Sequence, residues 1–397
     1  MTLGLFCAES LLAAREKHLR EAANERRKFR QHQEKARTNK KYMSMIIDGM
    51  TQKTTALPHF QRKPAWCGKD ELGVHVIGSI IEDCGIHLEF SYGNVGDNTN
   101  VLIDNIHKGV ERMHAKRREA NEPFPEVLYL QLDNVNHNKS KCLMTYLSYL
   151  VETNVFRKVK VNYLMVGHTH EIIDQVFSRY SVALRNQMCL DLASLMEVAK
   201  TCYTPNPTVE HVQVVTDWYN WFKDQGCMNL TTADITFNHA YRIKHHNVAS
   251  TSADEQVRKV LIHSKLFGWR TSSEEPKNWR PRGGHNQLLC LPRGAPGPQP
   301  LKKFDDADFE SLEKLLKEFE KNLGNAFAGS LKTYWEEQVT FQEAVRDGST
   351  TASGFEFNPL QSLSTSNTGE NDFFFKNSCQ HEFGYFIKKN YRQLMST

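Results

Sequence analysis

Val127-Leu128-Tyr129-Leu130-Gln131-Leu132-Asp133 is six residues of buried-strand sequence closed by a carboxylate. Its length and its β-branched and aromatic content suit a central strand. The same pattern stands upstream, where Tyr42-Met43-Ser44-Met45-Ile46-Ile47 is closed by Asp48. A third run, Val161-Asn162-Tyr163-Leu164-Met165-Val166, leads into Gly167-His168-Thr169-His170-Glu171-Ile172-Ile173-Asp174, which reads as the first turns of a helix. Desolvating a carboxylate costs free energy unless it has a partner. Two strands ending in Asp and an acidic helix start suggest one shared partner, most simply a pair of divalent cations bound by oxygen ligands.

The elements between these runs set the fold class. Val74–Ile81 and Ile86–Tyr92 alternate as strands, and Asp83-Cys84-Gly85 between them is a hairpin turn. Thr99–Lys116 carries Val101, Leu102, Ile106, Val110 and Met113 at helical spacing, and Ser140–Thr153 carries Leu143, Tyr146, Leu147, Leu150 and Val151. A strand over 160–166 and a helix from about His170 to Arg185 complete the series. The order is strand, strand, strand, helix, strand, helix, strand, helix. That is the order of a ribonuclease H-like α/β core: an antiparallel meander followed by two βα crossovers, giving a mixed five-stranded sheet flanked by helices. The βαβ unit around Asp133 is expected to be parallel, which brings Asp133 and the Gly167 loop to the carboxyl edge of the sheet, where α/β proteins bind ligands.

This core is assigned to 42–195. Before it, 1–41 reads as a basic polar helix: from Arg15 to Lys41 there are 11 Lys/Arg against 4 Glu. Leu11, Leu12 and Leu19 form its thin apolar stripe, so it is expected to be solvated or bound to something acidic. After the core, 196–300 is expected to be an aromatic-rich accessory domain with a small core from Trp218, Trp221, Phe222, Phe237, Tyr241, Phe267, Trp269 and Trp279. Residues 301–347 read as an amphipathic helical segment, with Leu312, Leu315, Leu316 and Phe319 on one face. Residues 348–397 read as a largely disordered tail. The net charge of +4 does not by itself imply nucleic acid, and nine scattered cysteines without a Cys-x-x-Cys pair fit reduced thiols and argue against a zinc finger. No run is long and apolar enough to span a bilayer, and the N-terminus lacks the basic leader of a signal peptide.

The acids compete with plainer readings. Acidic groups in a first helical turn oppose the helix dipole, which accounts for Glu171 better than for Asp174. Asp48-Gly49 is also an ordinary turn start. Glu171 and Asp174 lie one turn apart on one face, so either could supply the third acid.

The strings Leu132-Asp133-Asn134 … Asn138-Lys139 and Gly167-His168-Thr169-His170 … Asp174, with Ile47-Asp48-Gly49-Met50 … Leu57-Pro58-His59 upstream, resemble a eukaryotic family of uncharacterised proteins found in or derived from mobile elements. The resemblance covers roughly 42–300. It is similar to the DDE/DDD transposase-integrase group in placing acids on the first strand, the fourth strand and the following helix. It implies divalent-metal-dependent cleavage or strand transfer of DNA, with Asp48, Asp133 and Asp174 (or Glu171) as catalytic metal ligands. Two Mg²⁺ or Mn²⁺ ions are expected. His168 is a further ligand candidate, and Asn134, Asn138, Lys139 and His170 are candidates for phosphate. DNA is the expected partner, a homo-oligomer is compatible, no membrane is implied, and the nucleus is the expected location, otherwise the cytoplasm. The DNA-reading module that transposases usually carry at the N-terminus is not evident, which puts intact transposition in doubt.

Two other readings stand beside this one. Gly167-His168-Thr169-His170 after a strand is also a metal-binding loop of calcineurin-like metallophosphoesterases, but Asp48 is followed by Gly49-Met50 rather than the x-His that group needs. The other is a domesticated protein that binds nucleic acid without cutting it, using the basic helix and the basic, Trp-containing stretch Lys265–Arg282.

Overall fold

The computed structural model describes residues 2–67, 71–96, 98–164, 172–228, 239–249, 256–265, 280–281, 291–302, 306–347, 357 and 359–360. The strands are β1 (Tyr42–Met50), β2 (Val74–Ile81), β3 (Gly85–Tyr92), β4 (Val127–Leu132), β5 (Lys158–Tyr163), β6 (Thr208–His211), β7 (Ala240–Ala249), β8 (Gln256–Lys265) and β9 (Arg280–Pro281). The α-helices are α1 (Thr2–Thr38), α2 (Thr99–Glu119), α3 (Lys141–Glu152), α4 (Ile172–Leu184), α5 (Leu192–Thr201), α6 (Trp218–Asp224), α7 (Asp306–Leu323) and α8 (Ser330–Asp347).

All nine strands form one mixed sheet in the order β6-β3-β2-β1-β4-β5-β7-β8-β9. β1, β2 and β3 are an antiparallel meander, while β4 runs parallel to β1 and β5 parallel to β4. The expected five strands are therefore the centre of a wider sheet. β6 is added beside β3 in parallel and β7 beside β5 in antiparallel sense.

Period-two alternation sorts the strand residues onto two cores. Met43, Met45 and Ile47 of β1, with Leu128, Leu130 and Leu132 of β4, face α2, α3 and α6. Ile46 and Met50, with Val74, Val76, Leu88 and Phe90, face α4, α5, α7 and α8. Both helix starts are capped: Asn98 Oδ1 accepts from Asn100 N at 2.9 Å ahead of α2, and Ser140 Oγ accepts from Leu143 N at 3.1 Å ahead of α3.

Several expectations are corrected. The third core strand ends at Tyr163 rather than at residue 166. Helix α1 is not simply solvated. Leu11, Leu12 and Leu19 are exposed, whereas Ala22, Glu25, Phe29, His32 and Ala36, spaced three and four apart, are buried. The His32 ring stacks on Tyr129 of β4 with centroids 3.9 Å apart. Trp218, Trp221, Phe222 and Tyr241 do not make a separate small core; they pack into the core over α3. Leu312, Leu315, Phe319 and Trp335 of α7 and α8 likewise join the core over α4 and α5. Phe237, Phe267, Trp269 and Trp279 lie outside the described residues, as does most of 348–397. Phe357, one of three described residues there, rests 5.6 Å from the Trp218 ring, centroid to centroid. No described helix is long and apolar enough to cross a membrane.

Candidate functional site

Strand register brings the first two acids together. Ile47 pairs with Leu132 across β1 and β4. Asp48 and Asp133, one residue further along parallel neighbours, therefore stand at the same level on strands about 4.8 Å apart. Alternation turns both away from the α2–α3 core: Ile47 and Leu132 point into that core, so the next residue on each strand points to the opposite face.

Helix α4 brings the third acid to that face. Ile173, Val176, Phe177, Tyr180 and Leu184 are buried, and Asp174 sits half-buried in the first turn. Ile172 beside it is exposed. Gly78 of β2, the register partner of Asp48, explains the close seat of α4. A Cβ there would lie 2.7 Å from Ile173 Cδ1 and 2.9 Å from Phe177 Cε1. Only glycine leaves room for this approach.

The electrostatics agree with the geometry. Burial pushes the Asp48 carboxyl up to about 7; the main-chain N–H of Gly49 opposes the shift, and the negative charges of Asp174 and Asp133 add to it. Gly49 N donates to Asp48 Oδ1 at 2.8 Å, and Asn134 N donates to Asp133 Oδ1 at 2.6 Å. β1, expected to close at Asp48, continues to Met50; each of the two carboxylates is fixed by the peptide that follows it.

The loop after β4 is held by its own amides. Asn138 is buried, and its Nδ2 donates to the main-chain oxygen of Asp133 at 3.1 Å. Tyr163 Oη donates to the main-chain oxygen of Asn138 at 2.7 Å. Asn138, expected as a phosphate ligand, therefore shapes the loop. Lys139, expected as another, is also buried, with Nζ 5.0 Å from the Tyr163 ring centroid; burial pushes its ammonium down to about 8. Asn134 is half-buried beside Asp133. His168, His170 and Glu171 lie outside the described residues.

The donor set that the structure does bring together is all carboxylate oxygen, which suits Mg²⁺ or Mn²⁺ rather than a thiolate-binding metal. Its spacing is open. Among the described residues, no group of three or more His, Cys, Asp or Glu stands close enough to hold a metal ion. The charges of Asp133 and Asp174 bear on Asp48, but the three acids do not form a closed ligand set.

A cavity of about 970 Å³ lies elsewhere, between the start of α2, the start of α6 and α7, and none of the three acids lines it. Its polar groups are engaged with one another: Gln299 Oε1 accepts from Asn98 Nδ2 and Asn100 Nδ2 at 3.1 and 2.8 Å, while Asn100 Nδ2 also donates to Asp217 Oδ1 at 3.1 Å. This wall is built as a structural network, and we place no chemistry in it.

Sequence reading missed Gly78 and Tyr163. The signal for Gly78 was a lone glycine inside a strand pattern, which marks a close backbone or helix approach. Tyr163 gave no signal, since a tyrosine in a buried strand is ordinary. Among known proteins, the family model for a domain of unknown function, DUF7869, matches residues 65–259. That span runs from just before β2 into β8 and includes Asp133 and Asp174 but not Asp48. No curated protein and no solved structure matches the chain.

Proposed function

We propose that the chain is a transposase-like protein with a ribonuclease H-like core, and that it cleaves or joins DNA phosphodiesters with divalent metal. The observation that carries this reading is the placement of Asp48, inside β1, and Asp133, just past β4, side by side near the carboxyl edge of these parallel strands, on the face that carries the helix bearing Asp174. The strand order β3-β2-β1-β4-β5, with β1 as the pivot between the meander and the parallel strands, supports it. Asp48, Asp133 and Asp174 would hold the metal. When bound, divalent cations supply a nucleophile at neutral pH and neutralise charge on the leaving oxygen. The chain's own part is to hold the acids in place: Gly49 N and Asn134 N orient the carboxylates of Asp48 and Asp133, and α4, seated against Gly78, supplies the third.

Titration with Mn²⁺ by calorimetry, with labelled DNA in parallel, tests this. Wild type is expected to bind Mn²⁺ and cut, and Asp133→Ala to lose both while remaining folded. Unchanged Mn²⁺ affinity in folded Asp133→Ala would remove the site. The open spacing of the acids favours one second reading, a nucleic-acid-binding protein without catalysis. It would show DNA binding with no Mn²⁺-dependent cutting by the wild type.

A further inference from the structure

We propose that Tyr163 is a positioning residue: its buried hydroxyl, acting through Asn138, fixes the aim of the Asp133 carboxylate. The inference rests on the proposed function for what Asp133 holds. It adds the residue of a neighbouring strand on which that hold depends.

Asp133 lies just past β4, which ends at Leu132. Its main chain has left the ladder, so other groups must hold it. Leu164 N donates to Leu132 O at 3.0 Å, one residue earlier. Asn134 N donates to Asp133 Oδ1, and Asn138 Nδ2 donates to Asp133 O. Asn138 sits in a single 3-10 turn, Asn136–Lys139, and its own N donates to Val135 O at 3.2 Å. The bonds from Asn134 and Asn138 are local to the loop. Tyr163 Oη ties the loop to the sheet, because it donates to Asn138 O at 2.7 Å.

Register puts Tyr163 there. It is the last residue of β5 and pairs with Leu132, the last of β4. Val159, Val161 and Tyr163 face the core over α3, so the ring rises beneath the loop while Asp133 turns to the opposite face. Strand β7 braces it. Tyr163 N donates to His239 O at 2.8 Å, and the Tyr241 ring meets the Tyr163 ring edge-on at 6.0 Å between centroids. Lys139 Nζ lies 5.0 Å from the same ring. A strand added outside the five-stranded core thereby supports the loop that carries Asp133.

Packing does not ask for this hydroxyl. The cluster around it is apolar, and a phenylalanine would fill nearly the same volume. A hydroxyl buried there costs free energy unless it is bonded. Burial also holds the phenol well above its ordinary range, so Tyr163 stays a donor. Metal ligands depend on the groups that orient them, and those groups affect affinity without touching the ion.

The test is Tyr163→Phe, which keeps the ring and removes the hydroxyl. Mn²⁺ affinity is measured by calorimetry on the full chain. Exchange of the Asn134 amide, the group that grips the Asp133 carboxylate, is followed by NMR without metal. We expect an unchanged far-ultraviolet circular dichroism spectrum, Mn²⁺ affinity lower by about tenfold, and faster exchange at Asn134. Tyr146→Phe removes another buried hydroxyl of the same core, one that lies 3.1 Å from His107 Nδ1 and away from the loop. It should leave both readouts at wild-type values. Asn138→Ala should reproduce the Tyr163→Phe losses, and the double variant should be no worse than Asn138→Ala alone, because the two residues act in series. Asn138→Ala also serves if Tyr163→Phe does not fold. Wild-type affinity or wild-type Asn134 exchange in Tyr163→Phe would overturn the proposal, as would additive losses or equal losses in Tyr146→Phe. If the wild type binds no Mn²⁺, the metal reading falls and the Asn134 amide alone decides. Faster exchange in Tyr163→Phe would keep Tyr163 as the residue that holds Asp133, and unchanged exchange would remove it.

Discussion

At the residue scale, Asp48 is the most informative side chain. Its folded pKa, about 7, lies above the ordinary carboxylate value, so the fold favours the protonated form. Stability must then fall as pH rises from about 4 through about 7, because the unfolded chain gives up this proton first. Asp48→Asn keeps an oxygen to accept from Gly49 N and has nothing to ionise. Relative to wild type it should be more stable above pH 7, by on the order of 2 kcal/mol for a half-buried group, with the gap closing near pH 4. Thermal melts of both proteins across that range give the answer, and a constant gap would place the shift elsewhere. His32 is the counterpart on the same face. Burial first, then the charges of Lys160, Lys28 and Lys35, push its imidazole down to about 2, so it stays neutral and stacks on Tyr129 as an aromatic ring.

At the element scale, α4 and α1 decide whether the site exists. α4 approaches β2 over Gly78, where the Ile173 and Phe177 side chains leave no space for a methyl group. Gly78→Ala should cost about 1–3 kcal/mol by overpacking. It should also weaken Mn²⁺ binding, because the helix that carries Asp174 must move away from β1. Chemical denaturation and calorimetry on the same sample separate the two effects. Full Mn²⁺ affinity in a destabilised Gly78→Ala would show that Asp174 is dispensable. α1 is anchored by Phe29, which is 3% exposed and reaches the core over α4. Phe29→Ala should lose about 3 kcal/mol. Hydrogen exchange should then show lost protection over 22–36 with β1 still protected. Arg37 and Lys40 tie the far end of this helix to Glu82 and Asp83 in the β2–β3 turn at 3.0 and 2.8 Å, exposed pairs that orient the helix more than they stabilise it.

At the scale of the whole molecule, segments far apart in sequence share cores. Trp335 of α8 is fully buried, and its Nε1 donates to the main-chain oxygen of Leu190 at 2.8 Å. Tyr334 Oη and Tyr92 Oη are 2.7 Å apart. The helices of 306–347 therefore complete the face that carries α4 and α5. Trp335→Ala should cost about 3–5 kcal/mol. Calorimetry should show the main transition shifting as a unit, with no separate low-temperature peak for α7 and α8. Two resolved transitions would mean that the C-terminal helices fold on their own.

The sequence alone determined the periodic elements and the two carboxylates that close apolar runs, although β1 continues two residues past Asp48. Strand alternation and helical spacing are local properties, so β1 to β4, α2 and α3 stood close to their expected bounds. The Asp133 signal survived because a charge at the end of an apolar run stands out in any window. Tertiary structure decided everything that depends on partners distant in the chain. Register made neighbours of Asp48 and Asp133, and Gly78 let α4 close over them. The apolar stripe of α1 moved from its leucines to Ala22, Phe29 and Ala36, because a helix buries whichever stripe meets a sheet. Lys158-Val159-Lys160-Val161-Asn162-Tyr163 alternates like any half-exposed strand, and only the fold showed that its last residue reaches the loop after Asp133. An interaction energy depends on the distance between two groups, and for groups far apart in the chain the fold alone sets that distance.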